Sequence, residues 1–347
     1  MKVGLVAILL VIMISTSASV AKSAIPAWVY DLSSDDSLIY GIAKNYSTTA
    51  LPPIHYAKRN AIQNWKIANG LTPTKITENL AKKESVRIAK TTLHFVDTYH
   101  SNSDVYALLS ENAGYTETKK AKVVNCKIKQ CSPKWLCEAD DDNLSVLSVS
   151  AATGHPNKQL EYLLKNGQQL ARMIDKAKVA GTIKTFQLSD KFSNVANIQE
   201  RYKIKELQQE FSTVKLAQMC VYNDSIIGKV QLPVPSIAKA HNWVSEPNLG
   251  NQIGVVGHAS GAVSTGRISD LIEVAARRGL FDIAKAKNIK IEGDLSLEVN
   301  SKGHFALINK SFQVTESVVS AFIADMKMEL NDKYEPVIYI WLLENKG

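Results

Sequence analysis

Past its first fourteen residues the chain has no apolar run approaching the roughly 20 residues that a helix needs to cross a bilayer. An integral membrane bundle is therefore not expected, and the mature chain is read without a transmembrane segment. There is no low-complexity tract, and aromatic residues make up only 7% of the 347. Basic segments such as "KTTLHF" and "KAKVVNCKIK" are not interleaved with aromatics as a nucleic-acid groove would be, so no nucleic-acid partner is expected. The balance of 41 basic against 33 acidic residues is a mild excess. It reads as a solvated surface with some attraction to anionic envelope surfaces.

Catalytic patterns are equally scarce. The seven histidines are scattered, and none lies in an H-E-x-x-H pattern. No carboxylate pair stands out for acid–base work. "GVVGHASGAVSTG", with Gly254, Gly257 and Gly261, has neither the P-loop nor the dinucleotide-binding spacing. His258 and Ser260 lie in "GHASG", which is not the G-x-S-x-G elbow of a hydrolase. A tight strand-to-helix passage explains these glycines better. "EADDDN", from Glu138 to Asn143, lacks the glycine and the distal glutamate of a calcium loop and reads as a solvated entry loop. No catalytic residue, metal ligand or cofactor is assigned.

What is present begins with an export signal. Lys2 is followed by an apolar run from Leu5 to Ile14 and then by "STSASVA". Small residues at Ser19 and Ala21 place cleavage after Ala21, so residues 1–21 are expected to be a signal peptide. No cysteine lies near the end of the apolar run, so a lipobox is absent and lipid anchoring is not expected. The four cysteines are Cys126, Cys131, Cys137 and Cys220. An even count in an exported chain favours two disulfides over a zinc site. Three pairings are open to them; the expectation is Cys126–Cys131 and Cys137–Cys220.

The chain also repeats itself. Trp28, Trp135 and Trp243 are 107 and 108 residues apart, a period the size of a whole domain. After each comes a short apolar strand ("LIYGIA", "SVLSVSA", "GVVGHASG") with a small residue at the same place: Gly41, Ser148 and Gly257. Small residues there let a following helix lie close on the strand, or let the chain kink out of the sheet. A helix is expected next in each unit: "HYAKRNAIQNWKIAN", "LEYLLKNGQQLARMIDKAK" and "RISDLIEVAARRGLFDIAKAKN". Their apolar stripes follow the i, i+3, i+4, i+7 spacing of one buried face. Each unit closes with an alternating hairpin, as in "AFIADMKMELND" and "PVIYIWLLE". The longer second and third units carry an insertion, read as a second helix in "NIQERYKIKELQQEF" and "FALINKSFQVTESVVSAF".

The expected fold is α+β: three tandem related domains, each a helix on a mostly antiparallel sheet in the order β-α-β-β-β. Their bounds are 22–115, 133–235 and 236–347, with a cysteine-bearing linker at 116–132. The three tryptophans are the expected packing or interaction anchors. A proline before tryptophan, a strand into a small residue, an Ala-rich helix and a terminal hairpin together resemble the LPP-twenty lipoprotein domain of Gram-negative envelopes. The matching residues are Pro26, Trp28 and Gly41; Pro133, Trp135 and Ser148; and Trp243 and Gly257. The family includes FlgP-type flagellar proteins, and the N-terminal part of FlgT-type proteins is similar. The resemblance implies non-catalytic assembly at the outer membrane or in a flagellar basal-body ring, from the periplasm, with protein partners there or with copies of itself. The alternative is a periplasmic protein that binds a ligand in an interdomain cleft.

Overall fold

A computed structural model of the chain describes residues 25–345 apart from 47–50, 73–80, 117, 138–142, 152, 190–193, 208–212, 224, 236–241, 262–267, 288 and 292–305. The expected signal peptide, most of the "EADDDN" loop and much of "IKIEGDLSLEV", whose alternation predicts a further strand before the closing hairpin of the third unit, lie outside the described residues. The rest is a mixed α+β protein with three long helices among the described residues: α1 (Pro53–Ala68), α2 (Pro156–Asp175) and α3 (Ile268–Lys287). No helix among them is long and apolar enough to cross a membrane.

The first two helices start on a proline, Pro53 and Pro156. The ring fixes φ near its helical value, and the missing N–H costs nothing at a helix start. The predicted stripes are the buried faces: Ala57, Ala61, Trp65 and Ala68 on α1; Leu160, Leu163, Leu164, Gly167 and Leu170 on α2; Leu271, Ile272, Ala275, Gly279 and Ile283 on α3. The α2 helix stops at Asp175, before the end of the expected segment, and Ala177 already opens a strand.

Sixteen strands are described, β1 (Ile25–Pro26) and β6 (Lys120–Ala121) forming a two-residue pair. The others are β2 (Ile39–Lys44), β3 (Ser85–Ile88), β4 (Thr91–His100), β5 (Asp104–Ser110), β7 (Asn143–Ala151), β8 (Ala177–Ser189), β9 (Asn194–Glu206), β10 (Lys215–Tyr222), β11 (Ser225–Pro235), β12 (Gly254–Ser260), β13 (Ile289–Ile291), β14 (Ala306–Val319), β15 (Ala321–Leu330) and β16 (Pro336–Glu344). Three sheets share one plan. In the orders β2-β5-β4-β3, β7-β11-β10 and β12-β16-β15, the strand before the helix pairs antiparallel with the last strand of the closing hairpin.

The register repeats as well. Gly41 faces Ala107, Ser148 faces Gly228 and Gly257 faces Ile340. A one-residue bulge follows at the same place in each hairpin, after Phe95, Leu216 and Ile323. Beyond it Asp97 pairs with Leu108, Gln218 with Lys229 and Asp325 with Trp341.

The insertions differ from expectation. "NIQERYKIKE" is β9 and "ALINKSFQVTESVV" is β14, and neither is a helix. They join β8 and β13 in a four-stranded antiparallel sheet, order β13-β14-β8-β9, built from both units. Tyr202 and Ile204 are half-buried between exposed Arg201, Lys203 and Lys205, the period of two that a half-covered strand requires. Buried residues of all three sheets and helices form one continuous cluster, from Trp28 to Leu342.

Candidate functional site

The three predicted small residues all lie directly beneath a helix. A Cβ on Gly41 would stand 2.1 Å from the Ala61 nitrogen and 2.3 Å from the Ala57 oxygen, and one on Gly257 2.0 Å from the Ala275 oxygen. Ser148 is accommodated because its hydroxyl donates to the Leu163 carbonyl at 2.7 Å. Ala57, Leu163 and Ala275 are thus equivalent. Three residues further along each helix a side chain ties the strand from above. Asn60 donates to the Ile42 carbonyl at 2.7 Å, Asn166 to Val149 at 3.0 Å and Arg278 to His258 at 2.9 Å.

Two of the three tryptophans close the opposite face of their sheets. Trp28 is fully buried against Tyr40 and Tyr106, with ring centroids at 5.5 and 6.4 Å. Trp243 stacks on Trp341 at 6.1 Å. Their indole N–H groups donate to Asp97 at 2.8 Å and to Asp325 at 2.7 Å, at the register positions just past the bulge. Trp135 is half-buried, and its sheet has Gln218 at that position. Burial pushes the Tyr40 and Tyr106 hydroxyls above the usual tyrosine range; neighbouring tyrosines add to it at Tyr40, and Asp104 with neighbouring tyrosines at Tyr106. Burial likewise raises the Asp325 carboxyl, against the Trp243 hydrogen bond, which lowers it.

All four cysteines are disulfide-bonded, but the expected pairing is corrected to Cys126–Cys220 and Cys131–Cys137. The reason lies in the linker. Cys126 donates its N–H to the Val221 carbonyl at 2.7 Å, so the chain runs along the outer edge of β10 and brings Cys126 to Cys220. Cys131 and Cys137 then close the short turn around Pro133.

These elements meet at two junctions that sequence reasoning did not find. At the first, residues 30–32 add to the edge of β10: Met219 N–H donates to Tyr30 at 2.8 Å and Leu32 N–H to Ala217 at 2.6 Å. The Tyr40 hydroxyl meets the Met219 sulfur at 3.8 Å. At the second, the Leu147 N–H meets the Met326 sulfur at 2.9 Å. Tyr40 and Leu147 each precede the small residue, and Met219 and Met326 each follow the residue that closes the bulge. Only the sequence offsets gave a signal: the two methionines lie 84 and 83 residues after Trp135 and Trp243.

The first junction is sealed by a buried amide network. Asn157 Oδ1 accepts from Ile42 N–H at 3.1 Å and from Asn64 at 2.9 Å, and Asn157 Nδ2 donates to Glu161 at 3.2 Å. At the equivalent place the second junction holds an open cavity of about 860 Å³ between α2, α3 and β7. His258 and Ser260 are exposed, and the His258 ring lies against Tyr339 with centroids 6.4 Å apart. Among the described residues no group of His, Cys, Asp and Glu is arranged to hold a metal ion. No family model matches the chain, and neither a curated protein nor a solved structure matches it.

Proposed function

We propose that the chain is an exported, non-enzymatic assembly protein of the Gram-negative cell envelope, made of three tandem copies of one LPP-twenty-like module. It works in the periplasm, peripheral to the outer membrane, in a flagellar ring or a comparable envelope structure. The observation that carries this reading is the repeated junction, Tyr40 on Met219 and Leu147 on Met326. Each junction joins the first strand of one module to the bulged strand of the next. Val256 of the third module and Thr98 of the first hold the positions that would form one more such contact. Among the described residues, β12 ends its sheet, and β4 beyond Phe95 pairs only with β5. A contact between unlike faces propagates into rings or filaments of copies.

The test joins cell biology to chemistry. A deletion strain is scored for motility and envelope integrity, and the tagged protein is fractionated. In parallel, purified Thr98→Cys/Val256→Cys protein is oxidised. Co-sedimentation with outer membrane and a cross-linked ladder are expected. A protein that stays monomeric and a deletion strain with normal motility and envelope would sink the reading. The second reading, a periplasmic ligand-binding protein, is favoured by the cavity at the second junction.

A further inference from the structure

The end of β9, from Glu200 to Glu206, sorts its charges by sign. Glu200 and Glu206 stand on the face that meets the helices. Glu200 accepts from Lys285 of α3 at 3.0 Å, and Glu206 pairs with Arg172 of α2 at 3.5 Å. Tyr202, between them, stacks on Phe281 of α3 with ring centroids 5.1 Å apart. Arg201, Lys203 and Lys205 take the alternate positions, on the other face of the strand, and all three are exposed. Both acids are tied inward, and every cation of the stretch points outward.

The neighbouring strands extend that outer face. The register sets Lys178 of β8 against Lys205, Ala180 against Lys203 and Thr182 against Arg201. Cross-strand partners share a face, so Lys178 joins the three cations. Like charges directly opposite each other cost stability, yet the chain keeps Lys178 opposite Lys205. A carboxylate answers them from β14: Glu316 accepts from Lys178 at 2.8 Å. The Lys178 hydrogen bond and charge hold its carboxyl below the usual range, and Lys205 and Lys203 add to this. Val318, which pairs with Lys178, is 49% exposed on the same face.

A face that served solubility alone would mix the two signs. Here four cations gather around one carboxylate, with the short side chains of Ala180 and Thr182 between them. They rise from an open sheet, about 4.8 Å apart across strands and about 6.8 Å apart along β9. A small ligand is recognised in a concave site, whereas an open array of cations suits an extended plane of negative charge.

We propose that the outer face of β8 and β9, through Lys178, Arg201, Lys203 and Lys205, binds an anionic lipid surface, its ammonium and guanidinium groups lying among the phosphate headgroups. This deepens the proposed function and rests on that reading only for where such a membrane is met. Vesicle binding is read on the purified chain, so its failure leaves the cross-linking and deletion tests untouched, and their failure leaves it untouched.

The purified full chain is floated with mixed phosphatidylglycerol–phosphatidylcholine vesicles and with pure phosphatidylcholine vesicles. Only the anionic vesicles are expected to carry it. Their hold should weaken as salt shortens the screening length from about 30 Å to about 8 Å. Each cation near such a surface contributes about fivefold in affinity, so Lys203→Gln/Lys205→Gln should weaken binding about twentyfold. Thermal unfolding checks that this variant folds. Arg87→Gln/Lys90→Gln makes the same change in net charge on exposed residues of the first sheet and should leave binding within about twofold. Soluble polyglutamate and inorganic phosphate are the competitors. Equal binding to both vesicle types, equal losses in the two variants, or no response to salt would each overturn the proposal. So would polyglutamate bound through the same lysines as tightly as the vesicles, which would make the partner an acidic protein. Inorganic phosphate displacing the chain at matched phosphate concentration would make it a simple anion site and overturn it too.

Discussion

Trp243 donates its indole N–H to Asp325 at 2.7 Å, and the other carboxylate oxygen accepts the Met326 N–H at 2.7 Å. Trp28, Asp97 and Thr98 repeat the arrangement at 2.8 and 2.7 Å. The bulge before each aspartate turns its carboxylate toward the tryptophan loop and ties that loop to the hairpin. Burial nonetheless holds the Asp325 carboxyl above its ordinary range.

A pH prediction comes from that shift. With the folded value raised, the unfolded chain gives up its proton first as pH climbs. Stability from this site therefore falls between the ordinary carboxylate value, about 3.9, and the folded one. Asp325→Asn lacks that loss. Melting curves should show wild type losing ground to the variant as pH rises from the ordinary value; a difference that stays constant or grows the other way would contradict it.

Close helix-to-strand approach makes the second prediction. Gly41→Ala and Gly257→Ala push a Cβ into backbone, which cannot move aside as a side chain can. Each should cost about 1–3 kcal/mol by overpacking. Ser148→Ala removes only a hydroxyl bonded to Leu163 and should cost about 1 kcal/mol. Denaturant unfolding of the three variants checks the order, which the opposite ranking would refute.

The amide network predicts a large asymmetry between single and double changes. Asn157→Ala leaves the Ile42 N–H and the Asn64 amide buried without their shared acceptor, at a cost of about 1–3 kcal/mol. Changing Asn64 and Asn157 together to leucine removes both side-chain partners and should cost less than the sum of the single changes. A double-mutant cycle measures this coupling.

The disulfides should be unequal. Cys126–Cys220 closes a separation of 94 residues and Cys131–Cys137 one of 6. Chain-entropy reasoning gives about 4–5 kcal/mol for the first and about 2 kcal/mol for the second. Paired Cys→Ser variants, compared by urea unfolding, are expected in that order.

Much of the fold was legible because its signals are local. The Ala-rich stripes of α1 and α3, the strands "LIYGIA" and "GVVGHASG" and the hairpin around residues 331–335 follow from periodicity and turn residues alone. Gly41 and Gly257 stand out in the sequence as small residues, and the structure decides for close helix approach over a kink out of the sheet. The strands β9 and β14 were missed. Their residues suit either conformation, and pairing with β8, more than 100 residues away from β14, decides between them.

Asp97, Met219, Met326 and Asn157 gave no such signal, since each gains its role from a partner 69 to 179 residues distant. By itself the sequence determined the mixed α+β class, the helices, the closing hairpins and the even number of cysteines, all set by composition or by neighbours within a few residues. The cysteine pairing, the shared sheet, the sealed and hollow junctions and the tryptophan–aspartate bonds were decided only by tertiary structure. They depend on which distant surfaces meet, and that is fixed when the whole core packs at once.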